Sequence, residues 1–467
     1  MVFCSFTFIS IFLPAVLVLY LLLPNIHIQN GLLILASLIF YAYGEPVYVL
    51  ILLASIAVNY GMARLISRFK DRKKILLVLD LIINLGLLGV FKYTGFILQT
   101  INQVTGLSIT DPQITMPIGI SFFTFQALSY VIDVYRGEVE AEKNPGYVLL
   151  YISFFPQLIA GPIVKYRDIR TEVKNRKKDP AEIANGLARF ILGLAKKVLI
   201  SNAMSSGAEL LFAAEGSRLN ALNAWLGAIL FMLHIYYDFS GYSDMAIGMG
   251  QMFGFHFREN FLHPYGAVNI QDFWRKWHIS LSSWFKDYVY IPLGGNRKGK
   301  KRTVINKIIV FFLTGLWHGA SWNFVLWGLY HGFFLLLEEY IPLLKKLPKA
   351  LGLFYTNLVV CVGFVLFNCT DLGAAGRMFT AMFTGFSGSA PAESLLYQVL
   401  TPWRSFMLLI AILFAALIPW LLEKIPASFK EKTAVKGICF LCLLALFCLC
   451  LLQLSAGGYN PFIYFRF

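Results

Sequence analysis

An uncharged run from Ile308 to Leu337 sets the strongest limit on the fold of this chain. Its thirty residues contain no Asp, Glu, Lys or Arg, yet they include His318, Ser321 and Asn323. One straight helix of this length would extend ~45 Å, whereas the hydrocarbon core of a bilayer is ~30 Å thick. We therefore predict that the segment tilts, breaks or re-enters the membrane, with any break at Gly319-Ala320-Ser321. Irregular backbone at membrane depth must be satisfied by protein or water, so this break predicts a cavity beside His318.

The composition is that of a polytopic membrane protein. Of the 467 residues, 58% are hydrophobic and only 14% are charged, and the mean hydropathy is +0.67. A soluble domain is far less apolar. The net charge of +15 comes from Lys and Arg in short loops between apolar runs, such as Arg68 to Lys74 and Lys165 to Lys178. This positive-inside pattern predicts cytoplasmic loops and argues against nucleic acid as a partner.

We predict an all-α fold that forms one integral membrane domain over residues 1–467. Apolar runs of spanning or near-spanning length indicate roughly eleven transmembrane helices, with shorter re-entrant or interfacial helices between them. These runs fall at about 2–23, 31–43, 46–66, 74–92, 116–132, 147–164, 187–204, 219–237, 241–255, 308–340, 349–368, 403–422 and 436–454.

The segment from Asp272 to Asp287 carries a second candidate histidine, His278. On a single helix, Trp274, Trp277 and His278 would share one face, so the periodicity predicts an interfacial amphipathic helix. In that setting His278 would be an ordinary interfacial polar residue. The segment leads into the basic run Arg297 to Arg302, which is typical of a cytoplasmic loop.

A histidine suits acyl transfer because its unperturbed pKa of ~6.5 lets it take a proton from a hydroxyl and return it near neutral pH. Transfer from a thioester to an alcohol needs such a base but no metal and no covalent nucleophile. From the residues alone, His318 is either this base or a structural, pore-lining imidazole. The sequence carries no metalloprotease, serine-hydrolase, phosphate-loop or dinucleotide signature. Cys439 and Cys442 have metal-site spacing but lack a second pair, so we predict no metal site.

Two further polar features interrupt the apolar pattern. The stretch from Tyr236 to Asp244 separates two apolar runs and contains Asp238, for which capping or packing is favoured over direct catalysis. His331 lies thirteen residues after His318 and would point away from it on a continuous helix. We therefore predict that His331 is a polar packing residue.

Six motifs lie at Met116 to Gly137, Pro156 to Pro162, Tyr236 to Gly248, Asp272 to Arg302, Leu316 to Trp322 and the aromatic tail Gly458 to Phe465. They cover nearly the whole chain, and their order resembles that of the membrane-bound O-acyltransferase family, in the bacterial branch of alginate and peptidoglycan O-acetylation. The resemblance implies a ring of membrane helices around a thin centre, with a tunnel that joins a cytoplasmic acyl donor to an external acceptor.

The resemblance also implies roles for individual residues. His318 would be the general base, and His278 would orient the donor or assist proton movement. The side chains expected to line the tunnel are Trp317, Ser321, Asn323, Trp277, Asp238 and Tyr242. Those expected to attract the phosphates of the donor, or an acidic carrier protein, are Arg297, Lys298, Lys300, Lys301 and Arg302.

The substrates and partners follow from the same resemblance. The donor would be acetyl-coenzyme A or another acyl thioester, with no bound cofactor. The acceptor would be a hydroxyl of an extracytoplasmic SGNH-type partner or of a polysaccharide, and the protein would be a multi-pass protein among the lipids of the cytoplasmic membrane. Two alternatives stay open: transfer of D-alanine from a carrier protein toward teichoic acid, and a non-catalytic polysaccharide export or channel subunit.

Overall fold

The computed structural model describes residues 1–159, 161–426, 432–457 and 462, and these ranges are helical without β-strands. The predicted all-α fold is confirmed for this part of the chain. Apart from Phe462, the aromatic tail Gly458 to Phe465 lies outside the described residues. The described chain divides into two compact units. The first comprises residues 1–190 and 243–259, and the second comprises residues 191–242 and 260–462.

The first unit is organised around α6, which is buried along nearly its whole length and packs against α3 and α4. Gly119 and Gly137 bound α6 with φ of 79° and 77°. Glycine adopts this left-handed conformation without steric cost, so the two residues end the helix sharply. The α-helices that begin in this unit are α1 Leu13–Leu22, α2 Ile26–Ala42, α3 Val49–Arg68, α4 Lys73–Leu88, α5 Thr94–Thr105, α6 Ile120–Arg136, α7 Pro145–Ser153, α8 Phe155–Leu158, α9 Tyr166–Lys174 and α10 Pro180–Ala195.

The second unit contains both candidate histidines and is built around the helices that follow α10. The boundary between the two units falls within α10 and within α12. The later helices are α11 Asn202–Phe212, α12 Ala221–Met252, α13 Ile270–Lys276, α14 Ile279–Phe285, α15 Lys300–His318, α16 Trp322–Tyr340, α17 Lys349–Asn368, α18 Leu372–Thr384, α19 Ala390–Val399, α20 Pro402–Ile412, α21 Ile418–Glu423 and α22 Thr433–Ala456.

The predicted break after His318 is confirmed. α15 ends at His318, Gly319 is extended (φ −167°, ψ 152°), and α16 begins at Trp322. The two helices form a hairpin whose backbones meet where Gly315 faces Gly328. A β-carbon on Gly328 would lie 3.0 Å from the nitrogen and 3.1 Å from the Cα of Gly315. Small residues permit such close approach between helices, and this contact holds the end of α15 against α16.

The predicted interruption between residues 219–237 and 241–255 is wrong, because α12 runs unbroken from Ala221 to Met252. Asp238 therefore lies inside a helix and does not cap one. The helix accommodates this buried carboxylate because Lys197 pairs with it at 2.5 Å.

The single amphipathic helix predicted from Asp272 to Asp287 is also wrong. The chain forms α13 and α14, and Trp277 and His278 lie between them. His278 has φ 44° and ψ 53°, a left-handed conformation that is uncommon outside glycine. Its side chain is fully buried, so it is not an interfacial residue.

Within the described residues, five stretches of helix are long and apolar enough to cross a membrane, and two shorter apolar helices lie at Phe8–Leu22 and Ile26–Ala42. The count of roughly eleven transmembrane helices therefore stays a prediction. The five stretches are Val49–Arg68, Lys70–Thr105, Lys349–Asn368, Pro402–Leu421 and Thr433–Ala456.

Candidate active site

Two buried imidazoles, His278 and His318, lie close together in the second unit. Their ring centroids are 6.2 Å apart with an interplanar angle of 63°. His318 is the last residue of α15, and His278 precedes α14. The helix break and the left-handed backbone thus bring together two residues that lie forty positions apart in the sequence.

Asn260 holds His278 and fixes the position of its proton. The Asn260 side-chain oxygen accepts hydrogen bonds from the backbone N–H of Ser280 at 3.2 Å and from the Ser280 hydroxyl at 2.9 Å. A backbone N–H can only donate, so this atom of Asn260 is the oxygen and not the amide nitrogen. The same oxygen lies 3.2 Å from Nδ1 of His278, so Nδ1 donates. Nε2 of His278 then carries the lone pair, and it has no hydrogen-bond partner among the described residues.

Aromatic rings enclose the pair of imidazoles. Around His318, the centroids of Trp317 and Trp327 each lie 5.0 Å from the imidazole and that of Phe367 lies 5.4 Å away. Phe239 of α12 meets the ring of His278 edge to face at 4.5 Å. Such walls exclude water and strengthen any electrostatic interaction between the imidazoles and a bound reactant.

The structure places Trp317 and Trp277 beside the histidines. Trp317 contacts both imidazoles, and its centroid is 5.8 Å from that of His278. Trp277 is buried next to His278 and stacks on Phe273 at 5.4 Å. Ser321 is partly buried and precedes α16.

Asn323 contacts the end of α17, and Tyr242 contacts Phe462. The Asn323 side-chain nitrogen donates to the carbonyl of Cys369 at 2.7 Å, which ties the start of α16 to the end of α17. The ring of Tyr242 lies 4.3 Å from that of Phe462.

Asp238 belongs to a separate buried polar cluster beside the histidine pair. Its carboxylate pairs with Lys197 and accepts a hydrogen bond from the Ser201 hydroxyl at 3.3 Å. Ser201 also lies 2.9 Å from Nδ1 of His234. The cluster adjoins the site through Phe239, the residue after Asp238, which contacts His278. The opposite charges of Lys197 and Asp238 offset each other in a setting where an isolated charge would be costly.

The predicted donor-attracting residues lie at the opposite end of α15 from His318. Lys300 begins the helix, and its separation from His318 is 318 − 300 = 18 residues, or ~27 Å along the axis. The five cations are exposed: Arg297, Lys298, Lys300, Lys301 and Arg302. The structure thus brings the two histidines together and leaves this basic run remote from them.

His331 lies nearer to the site than a continuous helix would have allowed. Trp327 contacts it at 5.1 Å and contacts His318 at 5.0 Å, so the two histidines share one indole. Neither ring nitrogen of His331 has a hydrogen-bond partner among the described residues. An unpartnered buried polar group costs ~1–3 kcal/mol. The packing role of His331 stays a prediction.

Sequence reasoning missed several residues that shape the site. Asn260 and Ser280 orient His278, while Trp327, Phe367 and Phe239 form the walls. Their spacing along the chain gives no periodic signal, because they converge only in the tertiary structure. Within the described residues, no group of three or more His, Cys, Asp or Glu side chains could hold a metal ion.

The sequence was compared with family models and with curated proteins. The model of the membrane-bound O-acyltransferase family matches residues 56–378. The chain is 36% identical to the protein named "Probable alginate O-acetylase AlgI" of Azotobacter vinelandii, over 100% of both chains. It is 36% identical to the peptidoglycan O-acetyltransferase of Helicobacter pylori, over 82% of this chain and 79% of that protein. It is 30% identical to the teichoic acid D-alanyltransferase of Bacillus subtilis, over 54% of this chain and 68% of that protein.

This chain belongs to the membrane-bound O-acyltransferase family. It is therefore a membrane protein with O-acyltransferase activity. Family membership argues against the reading of a non-catalytic export subunit.

Proposed function

We propose that the protein moves an acetyl group from a cytoplasmic thioester to a hydroxyl outside the cytoplasmic membrane, with His318 as the general base. The observation that carries this proposal is the pair of buried imidazoles, 6.2 Å apart between centroids and enclosed by aromatic rings at a helix break. A tunnel formed by about eleven membrane helices, and lined by the residues predicted from sequence, would bring donor and acceptor to this pair from opposite sides.

The chemistry requires one proton to move from oxygen to sulfur. The acceptor oxygen attacks the thioester carbonyl carbon, forming a C–O bond while the C–S bond breaks. His318 takes the hydroxyl proton as the oxygen attacks and passes it to the leaving thiolate, so no proton is gained or lost overall. A positioned general base of this kind typically contributes ~10²–10⁴ in rate.

His278 would assist through its Nε2 lone pair. Because Asn260 holds the proton on Nδ1, Nε2 can accept a hydrogen bond from a hydroxyl but cannot donate one. This polarity favours a role in which His278 orients the acceptor hydroxyl while His318 takes its proton, and it disfavours donation from His278 to the carbonyl oxygen. Of the two roles that the sequence predicts for His278, we therefore propose assistance with proton movement and not orientation of the donor.

The donor and acceptor are proposed from chemistry and from the relatives. Acetyl-coenzyme A would arrive from the cytoplasm, where the exposed run from Arg297 to Arg302 would attract its phosphates. The names of the full-length relatives specify O-acetylation of alginate and peptidoglycan, which supports a polysaccharide hydroxyl as the final acceptor. An extracytoplasmic SGNH-type partner would receive the acetyl group first if transfer occurs in two steps.

Transfer of D-alanine from a carrier protein is the second candidate. It is favoured by the similarity to a teichoic acid D-alanyltransferase, but that similarity covers 54% of the chain. The alginate-type relative matches over 100% of the chain at higher identity. We therefore rank acetyl transfer first.

The test is release of free thiol from acetyl-coenzyme A by purified protein supplied with an oligosaccharide acceptor. We expect His318→Ala to lower kcat by ~10²-fold or more, as loss of a general base should. His27→Ala removes an exposed imidazole and serves as the matched control, expected to retain full activity. Undiminished turnover by His318→Ala would refute the assignment, and turnover only with a D-alanyl carrier would favour the second candidate.

A further inference from the structure

A cavity in the first unit is lined by none of the candidate site residues and has no role in the mechanism above. Its volume is about 590 Å³, within the range of small-molecule sites. One wall is the loop that follows α6, and the other is α9. The lining residues are Val139, Glu140, Ala141, Glu142, Lys143, Tyr166, Arg170, Thr171, Lys174 and Asn175.

A buried carboxylate fixes the two walls relative to each other. Glu142 accepts hydrogen bonds from the Tyr166 hydroxyl at 2.9 Å and from the backbone N–H of Lys143 at 2.9 Å. It also pairs with Lys174 at 2.7 Å. Burial raises the pKa of Glu142, but the bonds from Lys174, Tyr166 and the backbone outweigh this effect and hold the pKa below its ordinary value. The carboxylate is therefore ionised at neutral pH and organises the cavity without a ligand.

Further hydrogen bonds from α3 hold the loop that forms the first wall. The Tyr60 hydroxyl donates to the carbonyl of Lys143 at 2.9 Å, and the Arg64 guanidinium donates to that of Ala141 at 3.4 Å. The Tyr130 hydroxyl accepts from the backbone N–H of Glu142 at 2.9 Å. The loop is anchored on both sides, so the cavity is a feature of the fold and not of a loose surface loop.

The charges that remain free in the cavity are mainly positive. Glu142 and Lys174 offset each other. The side chains of Lys143 and Arg170 have no hydrogen-bond or ion-pair partner within the described residues, and the exposed Glu140 opposes them with one negative charge. Arginine presents a planar fork of donors that matches phosphate oxygens. A ligand with a phosphate group would satisfy both cations.

The sequence around α9 predicts which side of the membrane the cavity faces. Tyr166, Ile169 and Val173 of α9 are buried within the protein, whereas Arg170 and Lys174 are exposed. The helix lies in the basic segment Lys165 to Lys178, which the sequence pattern assigns to the cytoplasm.

We propose that this cavity is a phosphate-binding site on the cytoplasmic surface, with Lys143 and Arg170 as its ligand-binding cations. Its two possible sources of phosphate are the phosphorylated thioester donor and an anionic phospholipid headgroup. Only the first source rests on the proposed function, because binding of a phospholipid needs no acyl transfer.

The test uses the full-length protein in nanodiscs and the double variant Lys143→Gln/Arg170→Gln. The matched control is Lys70→Gln/Arg72→Gln, which removes the same two charges from an exposed basic loop of the same unit. Dissociation constants for coenzyme A are measured by calorimetry in neutral phosphatidylcholine nanodiscs. Thermal unfolding is then compared between phosphatidylcholine and phosphatidylglycerol nanodiscs.

If the donor is the source, the cavity variant should bind coenzyme A ~10- to 100-fold more weakly while the control changes less than about twofold. If a lipid is the source, coenzyme A binding should be unchanged, and only the cavity variant should lose the extra thermal stability in phosphatidylglycerol. Equal behaviour of the two double variants in both assays would overturn the proposal. Equal unfolding temperatures in phosphatidylcholine check that both variants fold.

These outcomes are separate from those for the proposed function. Neither assay requires turnover, so the phosphate site can be supported when acyl transfer from coenzyme A is refuted. Conversely, His318-dependent turnover combined with equal behaviour of the two double variants would retain the proposed function and remove only this site.

Discussion

Replacing Gly315 by alanine tests whether contact between α15 and α16 sets the position of His318. A β-carbon on Gly315 would overlap the carbonyl oxygen of Phe324 and lie 3.0 Å from its carbonyl carbon and 3.2 Å from the Cα of Val325. These are backbone atoms of a helix, so they cannot rotate away as a side chain could. The two helices must separate by several tenths of an ångström to admit the methyl group.

The expected loss of stability follows from two opposing effects. Overpacking of a well-packed contact costs ~1–3 kcal/mol. Alanine in place of glycine within a helix gains ~0.5–1 kcal/mol. The net effect is a destabilisation of ~1–2 kcal/mol. His318 lies three residues after Gly315, and a misplacement of ~1 Å at a reacting group can cost ~10²-fold in rate. We expect kcat to fall by ~10- to 100-fold.

Gly86→Ala is the matched control for this substitution. Gly86 lies inside α4, and an added β-carbon there would meet no atom within 4 Å. Only the helix-propensity gain applies, so Gly86→Ala should leave the unfolding temperature unchanged or raise it, with full activity. The assays are thermal unfolding in detergent and thiol release from acetyl-coenzyme A. If Gly315→Ala matches Gly86→Ala in both assays, the hairpin does not position His318.

Three further predictions concern buried polar groups. Asn260→Ala removes the oxygen that accepts a hydrogen bond from His278 and holds its imidazole in place. In the thiol-release assay, kcat should therefore fall ~10- to 100-fold with a smaller change in KM. Lys197→Met and Asp238→Asn should each destabilise the protein by ~3–5 kcal/mol, because each removes one charge of a buried ion pair. The double variant should recover most of this loss, as measured by a double-mutant cycle of thermal unfolding. Glu142 has a pKa held below its ordinary value of 4.5, so its contribution to stability is fully present above pH 4.5 and is lost as pH falls through its lowered folded-state pKa. The difference in unfolding temperature between wild type and Glu142→Gln should therefore be largest near pH 7 and should disappear as the pH falls below 4.5.

The helix break could be predicted from sequence because it depends on a local property. An uncharged run of thirty residues is too long for one perpendicular span, and Gly319-Ala320-Ser321 is its weakest helical stretch. The position of Gly315 against Gly328 was not predictable in the same way. Many membrane helices contain glycine, and only the packed hairpin reveals which two glycines face each other.

The break at His278 could not be predicted, because local periodicity favours a helix through Asp272 to Asp287. The deciding interactions come from Asn260, eighteen residues earlier. Its backbone carbonyl accepts from the N–H of Ile279 at 3.0 Å, and its side chain binds His278 and Ser280. Tertiary hydrogen bonds thus override helical propensity at this point, as they often do. The opposite error occurred at α12, where the polar stretch around Asp238 predicted a break that the helix does not have. The helix continues there because Lys197 balances the charge of Asp238.

The left-handed backbone of His278 is itself informative about the site. A non-glycine residue in this conformation costs ~1–2 kcal/mol, so the fold retains it only where surrounding bonds outweigh the strain. At His278 these bonds include two to Asn260, whose carbonyl accepts from the N–H of Ile279 and whose side-chain oxygen accepts from Nδ1 of His278. The His278 carbonyl also accepts from the N–H of Ser282. A continuous helix would satisfy the backbone equally well but would not place the imidazole where Asn260 accepts the Nδ1 proton. The strain therefore has a physical explanation in the preorganisation of the imidazole, which links an unusual backbone angle to the proposed proton transfer.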